Sequence, residues 1–139
     1  MKADLLLTDG EIVVPGIGLR RGSVAVRDGR IVAVLEPGET IEAAWTYACR
    51  GRWIMPGLID PHTHIGFGDK ENDFATESRS AAIGGVTTLL TFHRSPDLEV
   101  STPEWRSAGE RTSLIDFGFH FGLTSARHVE RLPDRMAAF

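Results

Sequence analysis

Pro56-Gly57-Leu58-Ile59-Asp60-Pro61-His62-Thr63-His64 decides how this chain is read. An apolar, strand-like run ends in two histidines one residue apart. Along a β-strand, residues i and i+2 face the same way. His62 and His64 therefore project two imidazoles side by side, and Thr63 faces away. Imidazole nitrogen binds zinc and other borderline metals at ~2.0–2.1 Å. Two histidines are half of such a site, because a catalytic zinc usually takes three protein ligands and a water. A His-x-His tripeptide alone is a weak signal. Its context strengthens it: a strand end that opens into a glycine-rich loop and begins an α/β alternation. Asp60 lies two residues before His62 on the same strand face. It is a candidate to orient a histidine or the backbone from behind the ligands, or to make a structural hydrogen bond.

Downstream, Trp53 to Ile65 reads as one buried strand entering a loop at 66–72. Asp73 is the expected N-cap of a helix over 74–83, with Phe74, Glu77, Ser78, Ala81 and Ala82 on one face. Gly84-Gly85 stops that helix. Val86 to Phe92 is an apolar second strand, and a loop follows from His93 to Ser101. Thr102 with Pro103 predicts a helix start, running to about Thr112. Leu114 to Leu123 is a third strand, and 127–138 a further helical candidate. Strand and helix alternate, which predicts a parallel sheet with covered faces.

Upstream the chain reads as all-β. Asp9-Gly10 between Leu5–Thr8 and Glu11–Val14 is a hairpin signal. The pattern recurs in Ser23–Val26, the turn 27–30 and Ile31–Val34, with a further turn at Pro37-Gly38. Thr40–Glu42 and Tyr47–Cys49 are weaker strands. Residues 1–52 are expected to form a portion of a small β-sandwich, and 53–139 the α/β part.

Composition bounds the rest. A chain of 139 residues with 42% hydrophobic and 24% charged content is a globular protein rather than a disordered one. The net charge is −4 and no basic stripe occurs, so nucleic acid is not an expected partner. No apolar run is long enough for a membrane span or a signal-peptide core. The single cysteine, Cys49, excludes an intramolecular disulfide and is expected to be buried and inert. A cytoplasmic protein is the default expectation.

These segments carry a resemblance. Pro56 to His64 resembles the first metal-ligand motif of the amidohydrolase superfamily. The stretch Asp73 to Thr88 narrows it to the cyclic amidohydrolase branch, especially hydantoinases and dihydropyrimidinases. Ile115-Asp116-Phe117-Gly118-Phe119-His120 is similar to the third-strand pattern of the same enzymes, and Gly51 to Gly57 also fits. The resemblance implies a metal-dependent (β/α)8 TIM barrel, of which about three strands fall here, with a β-sandwich built from both chain ends. It implies two zinc ions bridged by a carboxylated lysine and a hydroxide, with four histidines and an aspartate as further ligands. His62 and His64 map onto the first two histidines. The lysine, the later histidines and the proton-relaying aspartate belong to later strands, so no catalytic residue is expected within this chain. The implied reaction opens a cyclic amide or imide of the hydantoin or dihydropyrimidine type. The implied full-length protein is a homo-oligomer acting on a small molecule.

The resemblance also points to Ile65 and Phe67, in the loop behind the ligands, as substrate-contacting residues; a packed surface loop is the plainer reading. His93 is a candidate substrate contact. Here the second strand ends Thr91-Phe92, where hydantoinases commonly have Asp-Phe, so the substrate stays open. His120 is expected on the face opposite Phe117, Phe119 and Phe121, supporting the site or making a structural hydrogen bond. His128 is expected on a solvated helix surface. The alternatives are an allantoinase- or dihydroorotase-like enzyme, a non-catalytic dihydropyrimidinase-related protein, and a short protein binding metal or a partner through an exposed sheet edge. Ile65-Gly66-Phe67 stands where dihydroorotases commonly carry an arginine, which favours a less acidic ring. The chain is expected to be the N-terminal fragment of a longer reading frame, inactive as an enzyme by itself.

Overall fold

The computed structural model describes residues 2–133. The chain divides into two compact units that meet between Pro56 and Gly57.

The first unit is one mixed sheet. Its strands are β1 (Ala3–Val14), β2 (Gly18–Arg27), β3 (Arg30–Leu35), β4 (Ala43–Ala48) and β5 (Trp53–Ile54). The order is β3-β2-β1-β4, and β5 also pairs with β1. β2 is antiparallel to β1 and β3, whereas β4 and β5 run parallel to β1. The hairpin expected at Asp9-Gly10 is absent. β1 runs through that point as a single strand, and the extra residue is absorbed by a bulge between Leu7 and Gly10. Asp9 takes the left-handed φ of 56° that such a bulge uses. A Cβ on Gly10 would stand 2.4 Å from Ile54 Cδ1, so the glycine serves close strand approach rather than a turn. The reversal instead uses Pro15 to Ile17. The turn at Asp28-Gly29 forms as expected, with both residues at positive φ, as a type I′ hairpin requires. The strand near 40–49 is Ala43–Ala48, and Thr40–Glu42 lie outside it. Leu6 and Ala25 are buried on one face, with Ala33 and Leu35 packed against them. The opposite face presents Val34 and Trp45, at 63% and 77% exposure. Cys49 is buried, and burial raises its thiol pKa.

The second unit alternates β6 (Leu58–Thr63), α1 (Lys70–Ile83), β7 (Val86–His93), α2 (Leu98–Thr112), β8 (Asp116–Phe121) and α3 (Ala126–Glu130). The strands form a parallel sheet in the order β6-β7-β8. The single strand expected over 53–65 is broken at Pro56, so that Trp53–Ile54 joins the first sheet and Leu58–Thr63 the second. Gly57 stands where a Cβ would come within 2.1 Å of Thr87 Oγ1. Only glycine lets the chain enter β6 that close to β7.

Both helices begin a turn earlier than the sequence suggests. Asp69, not Asp73, caps α1 by accepting Asn72 N–H. Asp97, not Thr102, caps α2 by accepting Glu99 and Val100 N–H, which leaves Pro103 inside the helix. Phe74 and Ser78 are the buried face of α1, while Glu77 and Ala82 are exposed. Both helices pack on one face of the sheet. Phe74 meets Phe117 at 5.2 Å between centroids, and Trp105 meets His93 at 4.3 Å. The other face carries no helix among the described residues. The helical candidate over 127–138 is seen as α3, and its part from 134 onward lies outside the described residues.

Candidate metal centre

The site forms where β6 loses its regular pairing. From Asp60 to Thr63, β6 advances three residues while β7 advances two, from Leu89 to Thr91. The extra residue falls at Pro61-His62. Pro61 has no N–H to give a ladder, and side chains take over the freed backbone groups. Asp60 Oδ1 accepts His62 N–H at 3.0 Å, and His120 Nε2 donates to Pro61 O at 2.8 Å. Asp60 and His120 thus both bear on the Pro61-His62 backbone, one from within β6 and one from β8.

His62 and His64 emerge exposed on the helix-free face. Their Nε2 atoms are 3.3 Å apart. Two nitrogens at ~2.0–2.1 Å from one tetrahedral ion stand about 3.3–3.4 Å apart. The pair therefore already has the bite of two cis ligands. With one ring protonated at Nε2 the same contact is a hydrogen bond; with both lone pairs inward it is a ligand pair. Among the described residues no group of three or more His, Cys, Asp or Glu could hold a metal. The histidines fit one side of a metal centre and leave its other ligands to be supplied.

Phe92, at the end of β7, forms a shelf under this pair. Its ring lies 4.6 Å from that of His62 and 4.9 Å from that of His120, and stacks on His64 at 5.3 Å and 21°. Sequence reading missed Phe92 as a site residue. Strand parity with His62 and His64 was the available signal. Gly66, at φ +86°, turns the chain two residues after His64, a backbone conformation side chains rarely adopt, and a Cβ there would stand 3.1 Å from Phe74 and 3.2 Å from Trp105. Phe67 follows, half exposed, 5.9 Å from the His64 ring and edge-on to Trp105 at 5.3 Å. Ile65 is partly buried and its backbone is bonded to Thr91.

His93 does not join this cluster. One residue beyond Phe92, it faces the helices and is fully buried. Ser101 Oγ donates to Asp97 O at 2.8 Å, so it accepts Nε2–H of His93 at 2.9 Å, and His93 Nδ1 is buried without a partner. Burial, and then the nearby Lys70 charge, lower the His93 pKa. His128 is also buried, contrary to the solvated position expected for it. Its Nδ1 accepts Thr124 N–H at 3.1 Å, and its Nε2 donates to Pro96 O at 3.1 Å.

The chain is 35% identical to a D-hydantoinase from Ralstonia pickettii, over 94% of its own length and 31% of that enzyme. It is 37% identical to an allantoinase from Desulfitobacterium hafniense, over 94% of itself and 30% of that enzyme. No protein-family model matches. The solved L-hydantoinase (dihydropyrimidinase) from Arthrobacter aurescens superposes with a TM-score of 0.82 at 24% identity, over 98% of this chain and 31% of that one. The chain thus has the fold of about a third of that enzyme. Over most of its own length it is similar to hydantoinases, allantoinases and a dihydroorotase. It spans about a third of the length of these relatives.

Proposed function

We propose that this chain is the ligand-bearing start of an enzyme that hydrolyses the cyclic amide or imide bond of hydantoin- or dihydropyrimidine-type rings. The observation that carries the reading is the pair of exposed Nε2 atoms, 3.3 Å apart, at the end of the first strand of a parallel sheet. Catalytic groups gather at the C-terminal ends of strands in parallel barrels. In this reading β6, β7 and β8 are the first three strands of a (β/α)8 barrel. The first sheet is one layer of a β-sandwich, and its open face with Val34 and Trp45 is the surface a second layer would cover.

His62 and His64 would hold zinc through Nε2. Zinc bound there supplies a Lewis acid and a water deprotonated near neutral pH. Asp60 and His120 hold the ligand backbone in place. Phe92 keeps water from the underside of both rings, and Phe67 lies beside His64 where a ring substituent would sit. Ile65 would border the same space. His93, buried under α2, is assigned a structural part rather than a substrate contact. The bridging lysine, the further ligands and the proton-relaying aspartate would come from later strands of a longer, homo-oligomeric protein. The 139 residues alone would then be inactive.

Ring-opening assays of the full-length protein with hydantoin, dihydrouracil, allantoin and dihydroorotate, with and without chelator, test this reading. The expected result is chelator-sensitive opening of a hydantoin or dihydropyrimidine ring. Absence of metal-dependent activity on all four would refute it.

A further inference from the structure

Thr91 makes no part of the open face, yet its hydroxyl bonds to the chain on both sides of His64. Oγ1 accepts Ile65 N–H at 3.0 Å, and lies 3.1 Å from Ile65 O and 3.4 Å from Thr63 O. A hydroxyl has one proton and two lone pairs. Thr91 therefore accepts from the residue after His64 and shares its proton between that residue and the one before.

The anchor is itself fixed. Thr91 is fully buried on the central strand, in register with Thr63 of β6 and Phe119 of β8. Thr63 adds a reciprocal bond, from its Oγ1 to Leu90 O at 3.1 Å. The β6–β7 register ends at this Thr63–Thr91 pair, so His64 lies one residue beyond the ladder. Two residues after His64 the chain turns at Gly66. Phe92 stacks on the His64 ring, but no ladder pairing holds the His64 backbone, and the Thr91 hydroxyl does so instead. A valine would fill the same space but satisfy none of the three backbone groups.

We propose that Thr91 is the positioning residue that fixes His64 at its ligating distance from His62. The inference rests on reading that pair as part of a metal centre. Thr91→Val keeps the shape and removes the hydroxyl; Thr91→Ser keeps the hydroxyl and removes the methyl. In the full-length protein, Zn2+ affinity is measured by competition with a chromogenic chelator, and hydrogen exchange is followed over residues 62–67. T91V is expected to weaken zinc binding about 10–100-fold, as loss of a group supporting a ligand commonly does, and to speed exchange in that segment. T91S should stay close to the unsubstituted protein in both. If T91V does not fold, T91S against T91A supplies the same contrast. Unchanged zinc affinity in T91V, or an equal loss in T91S, overturns the inference and leaves the metal reading standing. Zinc uptake that is absent, or indifferent to His64→Ala, overturns the metal reading itself and the inference with it.

Discussion

The five histidines of this chain divide between two environments. His62, His64 and His120 lie on the helix-free side of the parallel sheet, in contact with Phe92. His93 and His128 are buried, His93 held by the Ser101 hydroxyl of α2 and His128 by Pro96 O before α2 and Thr124 N–H before α3. The buried pair makes structural bonds: His128 through both ring nitrogens, His93 through Nε2 alone. The exposed pair is different, because His62 and His64 point their Nε2 atoms at each other across the width of a metal ion. Residue type alone does not distinguish the two sets. For the four on or beside the parallel strands, the side of the sheet does; His128 lies on α3.

The largest expected effect separates the two sides cleanly. His62→Ala or His64→Ala should abolish zinc uptake at this half of the centre in the full-length protein. Each should leave stability within about 0.5 kcal/mol, the usual range for exposed positions away from structural features. Isothermal titration with Zn2+ and thermal unfolding measure the two quantities. The complementary variant is Trp105→Ala. Trp105 is 5% exposed and touches Phe67, His93 and Phe119. Its loss should cost about 3–5 kcal/mol by cavity formation, read by urea denaturation. A ligand variant that unfolds the protein, or a Trp105 variant that does not destabilise it, would erase the contrast.

Next in size is His128→Ala. It strips the partners from Thr124 N–H and Pro96 O in a buried place. Leaving buried groups unpaired costs about 1–3 kcal/mol. A loss that small in urea denaturation, with zinc binding intact, is the expected outcome. Neutral behaviour would mean that the histidine is solvated after all.

Much of this division was legible in the sequence, and its limits are physical. The run Val86 to Phe92 announced a central strand, and strand parity put His120 opposite the phenylalanines of β8. Ending that strand one residue early hid the side on which His93 falls, since each step along a strand changes face. Helix starts were misread because a proline at 103 resembles a first-turn residue, whereas the cap is Asp97, five residues before Thr102. Asp9-Gly10 has the composition of a turn and serves a bulge, because Ile54, far along the chain, packs against Gly10. His128 was unreadable for the same reason: its partner, Pro96 O, is distant in sequence. The histidine pair was readable because one strand end carries both residues. The bulge at Pro61 that seats them depends on β7 and β8.

The smallest expected effect concerns His93, and its sign follows from the buried Nδ1. Protonation there would put a charge among Trp105, Phe119 and Phe121, with Ser101 as the neighbouring polar side chain. Lys70 of α1 adds an opposing positive charge, offset in part by Glu104 of α2 at 3.5 Å from its Nζ. Burial first and Lys70 second hold the folded-state pKa of His93 below its ordinary value of 6.5. Below that ordinary value the unfolded chain binds the proton more readily than the folded one. The stabilisation from neutral His93 is therefore complete above about pH 6.5 and is lost as pH falls toward the folded-state pKa. His93→Gln cannot titrate. The stability difference between the unsubstituted protein and H93Q should be largest at pH 7.5 and narrow steadily toward pH 5 in urea denaturation. A difference that stays constant over that range would mean that His93 takes up its proton as easily folded as unfolded, and the buried face would lose its claim to differ electrostatically from the open one.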